Sequence, residues 1–389
     1  MGNEFQSALQ RALPLKLHGR DIPHGTIETN RTCNIQCRHC YTLDKKTIKT
    51  AAEIENEIRL LLSKRNLDVI TLLGGEPTLH PELCRIVRFI KSKRLHCQLL
   101  TNGIRLMQDD RLLDDLIDAG IDKFLLHIDE GQRHVHGDID RARRSLFAKL
   151  EEKKAAFSLA LTVPNRDRGS IAAALTGYSG YRYFDGILAI LARDPRPPKK
   201  ESATLLREYR RLKEKLWLKP VAYLPLLNDD RTPSWLVYYF YHNGRSGKTF
   251  TLSPELVSGY RFLYRKLRGR HFFAPFQRPS RRLIQLLSAL LLEALLRPPR
   301  IPAIREFLSG SGWLRDIRFR YVAIQTPPCL NKKTGTIRIC HGCPDATIRN
   351  GRLTPVCIAD QVNPPAGRRP DWKIQTAWAE TVDRHFQEA

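Results

Sequence analysis

The stretch Gly25-Thr-Ile-Glu-Thr29 followed by Cys33-Asn-Ile-Gln-Cys37-Arg-His-Cys40-Tyr41 is a short apolar-flanked strand that runs directly into three closely spaced cysteines. Cys-x3-Cys-x2-Cys offers three thiolates to three irons of a cubane and leaves the fourth iron without a protein ligand. An open metal position of that kind is where a small molecule binds. The competing reading of the same spacing is part of a zinc site. Zinc takes four ligands, so three cysteines here would need a distant fourth.

Outward from this loop the chain alternates strand and helix patterns. Ala51 to Lys64 has helical periodicity. Asp68 to Leu73 is a buried-type strand that closes at Gly74-Gly75-Glu76-Pro77, and Pro81 to Lys93 is a helix with proline in its first turn. Strands over His96–Thr101, Lys123–Asp129, Phe157–Val163 and Gly186–Ala192 follow. Between and after them come helices over Asp109–Ala119, Ile139–Lys154, Ser170–Thr176 and Glu201–Trp217. Six consecutive strand–helix units require parallel strands with helical crossovers. The expected fold is therefore α/β: a partial, open (β/α)6 barrel with a C-terminal α+β extension. Chemistry in such folds sits at the C-terminal strand ends. The cysteine loop, Gly74–Pro77, Thr101-Asn102-Gly103 and Asp129 all fall there.

With Gly74-Gly75-Glu76-Pro77 following the second strand, the cysteine loop resembles the signature of the radical S-adenosylmethionine (radical SAM) superfamily. The resemblance implies that Cys33, Cys37 and Cys40 hold a [4Fe–4S] cluster and that SAM chelates its open iron through its amino and carboxylate groups. One-electron cleavage then gives a 5′-deoxyadenosyl radical that abstracts hydrogen from a substrate C–H. It further implies cofactor-binding contacts from Gly74, Gly75, Glu76, Pro77 and Asn102, and adenine packing by His39. An external electron donor such as flavodoxin or ferredoxin is implied as well. His127 and Asp129, two apart on one strand face, are candidates to reach ribose or substrate. His134 and His136 read as surface groups.

A second group, Cys329-x10-Cys340-x2-Cys343-x13-Cys357, supplies four thiolates. Gly335-x4-Cys340 resembles the start of the SPASM or twitch auxiliary-cluster units, while the later spacing departs from them. The expectation is an auxiliary [4Fe–4S] cluster, with structural zinc as the alternative. Four protein thiolates would suit electron transfer or structural support. Cys84 and Cys97 read as core thiols.

The chain of 389 residues has a net charge of +25, which favours anionic partners. No nucleic-acid recognition motif accompanies the charge, and aromatic residues are not interleaved with basic ones, so nucleic acid is not the expected partner. Leu283 to Leu296 is too short to span a bilayer. It reads as a core-facing helix or, alternatively, as an apolar or membrane-facing surface ringed by arginine. The latter suits an acyl or isoprenoid substrate with a phosphate head. No export signal is read in residues 1–20, so the expected location is cytoplasmic, peripheral to the membrane if the apolar helix docks there.

The expected divisions are a 1–24 extension, a 25–218 barrel, a basic and mostly helical 219–322 region, and a 323–389 auxiliary-cluster region and tail. The expected function is radical modification of a peptide or of a lipid or phosphate-bearing small molecule. The alternative is a zinc-binding, RNA-associated, non-enzymatic protein with two structural cysteine clusters, a reading that leaves Gly74–Pro77 without a purpose.

Overall fold

The computed structural model describes residues 3–37, 40–42, 46–164, 169–192, 204–227, 229–272, 282–309, 314–330 and 337–362. Asn3, Arg282, Leu283, Arg315, Cys329 and Leu330 are described by backbone alone. Leu13–Pro14 (β1) precedes the first long strand, His24–Asn30 (β2). Then come Val69–Gly74 (β3), His96–Thr101 (β4), Lys123–Leu126 (β5), Phe157–Val163 (β6) and Phe184–Leu191 (β7). β2 to β7 pair in chain order, all parallel, with helices between them. The helix Ala51–Lys64 starts at a capping box, in which the Thr50 hydroxyl accepts from the Glu53 amide and the Glu53 carboxylate accepts from the Thr50 amide.

Each parallel strand is buried on both faces, as a helix-covered sheet requires. Ile27, Ile70, Leu72, Leu99, Phe124 and Leu126 point outward and pack on Ile54, Ile58, Ile86, Leu116 and Phe147 of the helices. Burying each of these side chains stabilises the fold by roughly 1.5–3 kcal/mol. The opposite faces, with Thr26, Thr71, Leu73, Leu100, Leu125 and Ala160, line a central cavity.

The sheet does not end where the six units end. Ala222–Leu226 (β8), Asp229–Asn243 (β9), Thr249–Thr251 (β10) and Ile317–Gln325 (β11) join it. The order is β1-β8-β9-β11-β7-β6-β5-β4-β3-β2, with β10 on β9. β11 pairs parallel to β7 and antiparallel to β9. Within the 219–322 region, the stretch Val221–Asn243, whose aromatic pattern reads as β-like, carries β8 and β9, the helices lie beyond Pro254, and residues 322 and 323 both lie inside β11. The run Trp235–Tyr241 is buried on both faces. Leu236, Tyr238 and Phe240 enter the barrel's main core, while Trp235, Val237, Tyr239 and Tyr241 enter a second core.

The helices Pro254–Arg268, Arg282–Leu296 and Ile301–Leu308 supply Leu256, Val257, Leu286, Leu290, Ile304 and Phe307 to that second core. The first of them is anchored near the N-terminal ends of β2 and β3. The Tyr264 hydroxyl donates to Asp68 (2.6 Å), and Arg265 pairs with Asp21. The chain finishes with Cys329–Leu330 (β12), Ile337–Arg338 (β13) and the hairpin Ala346–Arg349 (β14) with Arg352–Pro355 (β15). β14 packs beside β2. Cys97 is buried in the core and Cys84 packs against it. No described helix is long and apolar enough to cross a membrane.

Candidate functional site: two cysteine groups on one cavity

A cavity of about 610 Å³ runs through the barrel. Its lining includes Cys33, Cys37 and Cys40 and also Cys340, Cys343 and Cys357. The first three follow the C-terminal end of β2. The second group is fastened at the other end of the same strand, where the Arg65 guanidinium donates to the carbonyls of His24 (2.8 Å), Pro344 (3.2 Å) and Cys343 (2.8 Å).

At the first group, Gly74 and Gly75 carry a backbone crossing. A Cβ on Gly74 would lie 2.0 Å from the Asn30 carbonyl oxygen, and one on Gly75 would lie 2.1 Å from that of Thr32. Gly74 also has φ +145°. Both glycines thus let the chain entering the cysteine loop lie against the end of β3. Glu76 is buried. Its carboxylate accepts from the Thr78 amide (3.1 Å), the hydroxyls of Thr78 and Thr101 (2.6 Å each) and the Asn102 amide (2.7 Å). Burial pushes this carboxyl up against the downward pull of those bonds. The Glu76 carboxylate therefore ties the ends of β3 and β4 together, while its carbonyl accepts from Asn30 (3.1 Å). Pro77 opens the short turn that follows. The Asn102 side chain donates to Asn34 inside the cysteine loop (2.8 Å). His39 lies outside the described residues.

His127 and Asp129 do come together. His127 Nε2 lies 3.0 Å from Asp129 Oδ2 and 3.2 Å from the Thr162 hydroxyl. Burial alone would raise the Asp129 carboxyl. The His127 bond and charge and the Thr162 donors outweigh it and hold the group at about 2. On the ring's other side, Gln132 Nε2 lies 3.3 Å from His127 Nδ1 and donates to Cys37 Sγ (3.7 Å). Asp129, His127 and Gln132 thus form a chain that ends on the Cys37 thiol. Gln132 and Thr162 were not singled out from the sequence, since a lone glutamine or threonine near a strand end carries no signal. His134 is exposed and His136 half-buried, on a short helix beside the mouth.

Burial pushes the Cys37 thiol up to about 11 against the Gln132 bond, and the neighbouring Cys40, Asp129 and Cys33 push the same way. Thiols crowded this closely resist ionising together unless a cation joins them, and metal coordination deprotonates them outright. Among the described residues no three His, Cys, Asp or Glu side chains close up enough to hold a single ion. Cubane thiolates sit on separate irons and do not need to close so far. Three thiolates with no fourth protein ligand beside them among the described residues are a donor set that suits an iron–sulfur cubane.

The second group is held by long-range bonds. Leu226 bridges Cys340, the His341 amide donates to Pro225 (2.9 Å), and the Leu227 amide donates to Ile339 (2.9 Å). Gly342 has φ +54°, and a Cβ there would lie 1.9 Å from the Leu17 carbonyl oxygen. Cys343 is raised well above the usual thiol by its hydrogen bond with Cys340, by burial, and by charge at Cys340 and Cys357. Of the four expected ligands, Cys340, Cys343 and Cys357 share the cavity wall. Cys329, in β12, is placed by its backbone only, paired with Arg338 of β13. A buried ionic network locks this region to β2. Arg31 pairs with Asp360, and Arg349 bonds both Glu28 (2.5 Å) and Asp360 (3.2 Å).

Between the two groups the wall is apolar: Leu100, Leu125, Ala160, Leu188, Val237 and Ala323. Its polar floor is a bonded series in which His24 Nε2 meets the Thr71 hydroxyl (2.8 Å) and that hydroxyl donates to Gln98 Oε1 (3.0 Å). Beside it Lys123 pairs with Asp185 (2.9 Å). Burial pulls the Lys123 ammonium down, but Asp185 more than offsets this and keeps it cationic.

Residues 27–153 match the radical SAM superfamily. The chain is 30% identical over 152 residues to a GTP 3′,8-cyclase of Chlorobaculum tepidum, covering 38% of this chain and 43% of that protein. It is 31% identical over 148 residues to a probable GTP 3′,8-cyclase of Methanococcus aeolicus, covering 35% and 48%. Each match spans less than half of the relative's length. Among solved structures, Streptococcus suis SuiB bound to S-adenosylmethionine aligns with a TM-score of 0.41 at 14% identity, over 50% of this chain and 47% of that one.

Proposed function

We propose that this chain, which is built on a radical SAM domain over residues 27–153, is an enzyme that holds its substrate in the barrel cavity between two iron–sulfur clusters. Cys33, Cys37 and Cys40 would hold the first [4Fe–4S] cluster, with SAM beside Gly74–Pro77 and Asn102. Cys340, Cys343 and Cys357 would hold the second. When bound, the cluster and SAM supply one-electron reductive cleavage and hydrogen abstraction from a C–H bond. An external single-electron donor of the flavodoxin or ferredoxin class is required to reduce the cluster.

The observation that carries this reading is the presence of both thiol groups on the wall of one cavity. The protein's own residues then have defined tasks. Glu76 and Asn102 brace the strand ends under the cysteine loop. Asp129 fixes the His127 ring at the edge of the cavity. The apolar wall excludes water from reactive intermediates.

Both relatives named above are called GTP 3′,8-cyclase or probable GTP 3′,8-cyclase, and each is matched over less than half of its length. In this cavity the Lys123 charge is already matched by Asp185 and the wall is apolar, which favours a substrate with an apolar body and a hydrogen-bonding end. The Thr71 and Gln98 side chains, bonded to each other on the cavity floor, would receive that end. The test is anaerobic reconstitution with iron and sulfide, followed by dithionite and SAM. Formation of 5′-deoxyadenosine is expected, and its absence overturns the proposal. Mass spectrometry of small molecules and peptides that co-purify anaerobically then identifies the substrate, and a bound nucleoside triphosphate would refute the apolar-body reading.

A further inference from the structure

The helix Arg282–Leu296 is built inside out. Its acidic residue, Glu293, is fully buried, and its carboxylate accepts from the Ser253 amide and pairs with Arg300 (2.7 Å). Leu286 and Leu290 accompany it into the core. The outward face instead carries Ile284 (70% exposed), Leu291 (61%) and Leu295 (67%), together with Leu287, Leu292 and Leu296. Gln285 and Ser288 are also exposed there, and neither is charged. A helix on a water-facing surface normally shows the reverse pattern. The expectation that this segment faces the core holds for one side of it only.

The neighbouring helix Pro254–Arg268 repeats the feature. Leu256 and Val257 point into the same core, while Tyr260, Phe262, Leu263 and Leu267 are exposed. Because both helices turn their inner faces to one core, both outer faces look away from the sheet. An exposed apolar patch on this scale marks a docking surface.

We propose that these two helices dock the protein on an anionic lipid surface. Fifteen residues of helix reach about 22 Å, short of a bilayer's hydrocarbon core, so the helix lies in the interface and does not cross it. The rim carries exposed Lys266, Arg268 and Arg305, with Arg297 paired to Glu255 and Glu306 paired to Lys248, on a chain of net charge +25. A second copy docked through the same face would bring these like charges together, because a two-fold interface is self-complementary. Anionic headgroups are attracted to them. Tyr260 and Phe262 add aromatic side chains of the kind that settle at headgroup depth. The face is remote from both cysteine groups in sequence and role, so this docking stands independently of the radical chemistry.

The experiment is co-sedimentation of the anaerobically purified full chain with vesicles of phosphatidylglycerol and phosphatidylcholine, compared with phosphatidylcholine alone, at low and high salt. Binding to the anionic vesicles is expected, weakened by salt. The double variant Leu291→Glu/Leu295→Glu should lower partitioning at least about tenfold, with iron content and 5′-deoxyadenosine yield unchanged. Lys266→Glu/Arg305→Glu should weaken binding to the anionic vesicles alone. If the wild type stays in the supernatant with both vesicle types, or the Leu291→Glu/Leu295→Glu variant still pellets fully, the proposal fails. A wild-type dimer in sedimentation equilibrium that ignores vesicles, and that this variant splits into monomers, would assign the face to a second copy instead.

Discussion

The loop that carries Cys33, Cys37 and Cys40 and the segment that carries Cys340, Cys343 and Cys357 line one cavity by different structural means. The first is local. Its three thiols follow a single strand end, and the bonds that place them come from the ends of adjacent strands: Gly74 and Gly75 beneath the entering backbone, Asn102 on Asn34, and Gln132 on Cys37. The second is assembled from distant parts of the chain. Arg65 lies 278 residues before Cys343, to which it is hydrogen-bonded, the Leu17 backbone lies against Gly342, and Pro225 accepts from the His341 amide. A site built on neighbouring strand ends keeps its ligands when remote parts of the chain change. A site built from long-range bonds depends on each of its anchors.

Four substitutions test this contrast, from the largest expected effect to the smallest. Cys37→Ala should abolish 5′-deoxyadenosine formation while urea unfolding of the chain stays near wild type, because the loop lies outside the core. Residual formation at the wild-type rate would break the assignment of the first group. Arg65→Met should destabilise the protein by about 3 kcal/mol in urea, since three buried carbonyls lose their donor. It should also deplete iron from the second group before the first. Gly342→Ala should cost roughly 2–3 kcal/mol, because a left-handed residue would meet the Leu17 carbonyl. SAM cleavage should persist in that variant, and loss of cleavage with full iron would show that the two groups are not separable in this way.

Asp129→Asn should cost roughly 2 kcal/mol at neutral pH, the worth of holding a carboxyl at about 2 in place of about 3.8. The sign follows from the depressed value. The folded state favours the ionised carboxylate, so the stabilisation is complete above about pH 4 and is lost as pH falls toward 2. The stability difference between wild type and variant should therefore narrow below pH 4, and a difference that is constant with pH would contradict the ionic role.

The contrast also explains what the sequence revealed. The cysteine loop, Gly74–Pro77 and the six strand–helix units are each contained within short segments, so spacing and periodicity exposed them. The placement of β11 between β7 and β9 was hidden, because it depends on pairing with Gly186–Ile190 across more than a hundred residues. The Lys123–Asp185 pair and the Arg65 anchor were hidden for the same reason, each partner being unremarkable alone. The Leu283–Leu296 segment was ambiguous because composition does not tell which side of a nearly all-apolar helix faces the core. The buried Glu293 decides it.

Counting iron is the most direct test of two clusters on one cavity. Anaerobically reconstituted wild type should carry about eight irons per chain, and Cys37→Ala and Cys343→Ala about four each, with SAM cleavage lost only in the former. A wild-type chain holding about four irons that Cys343→Ala leaves unchanged would contradict it.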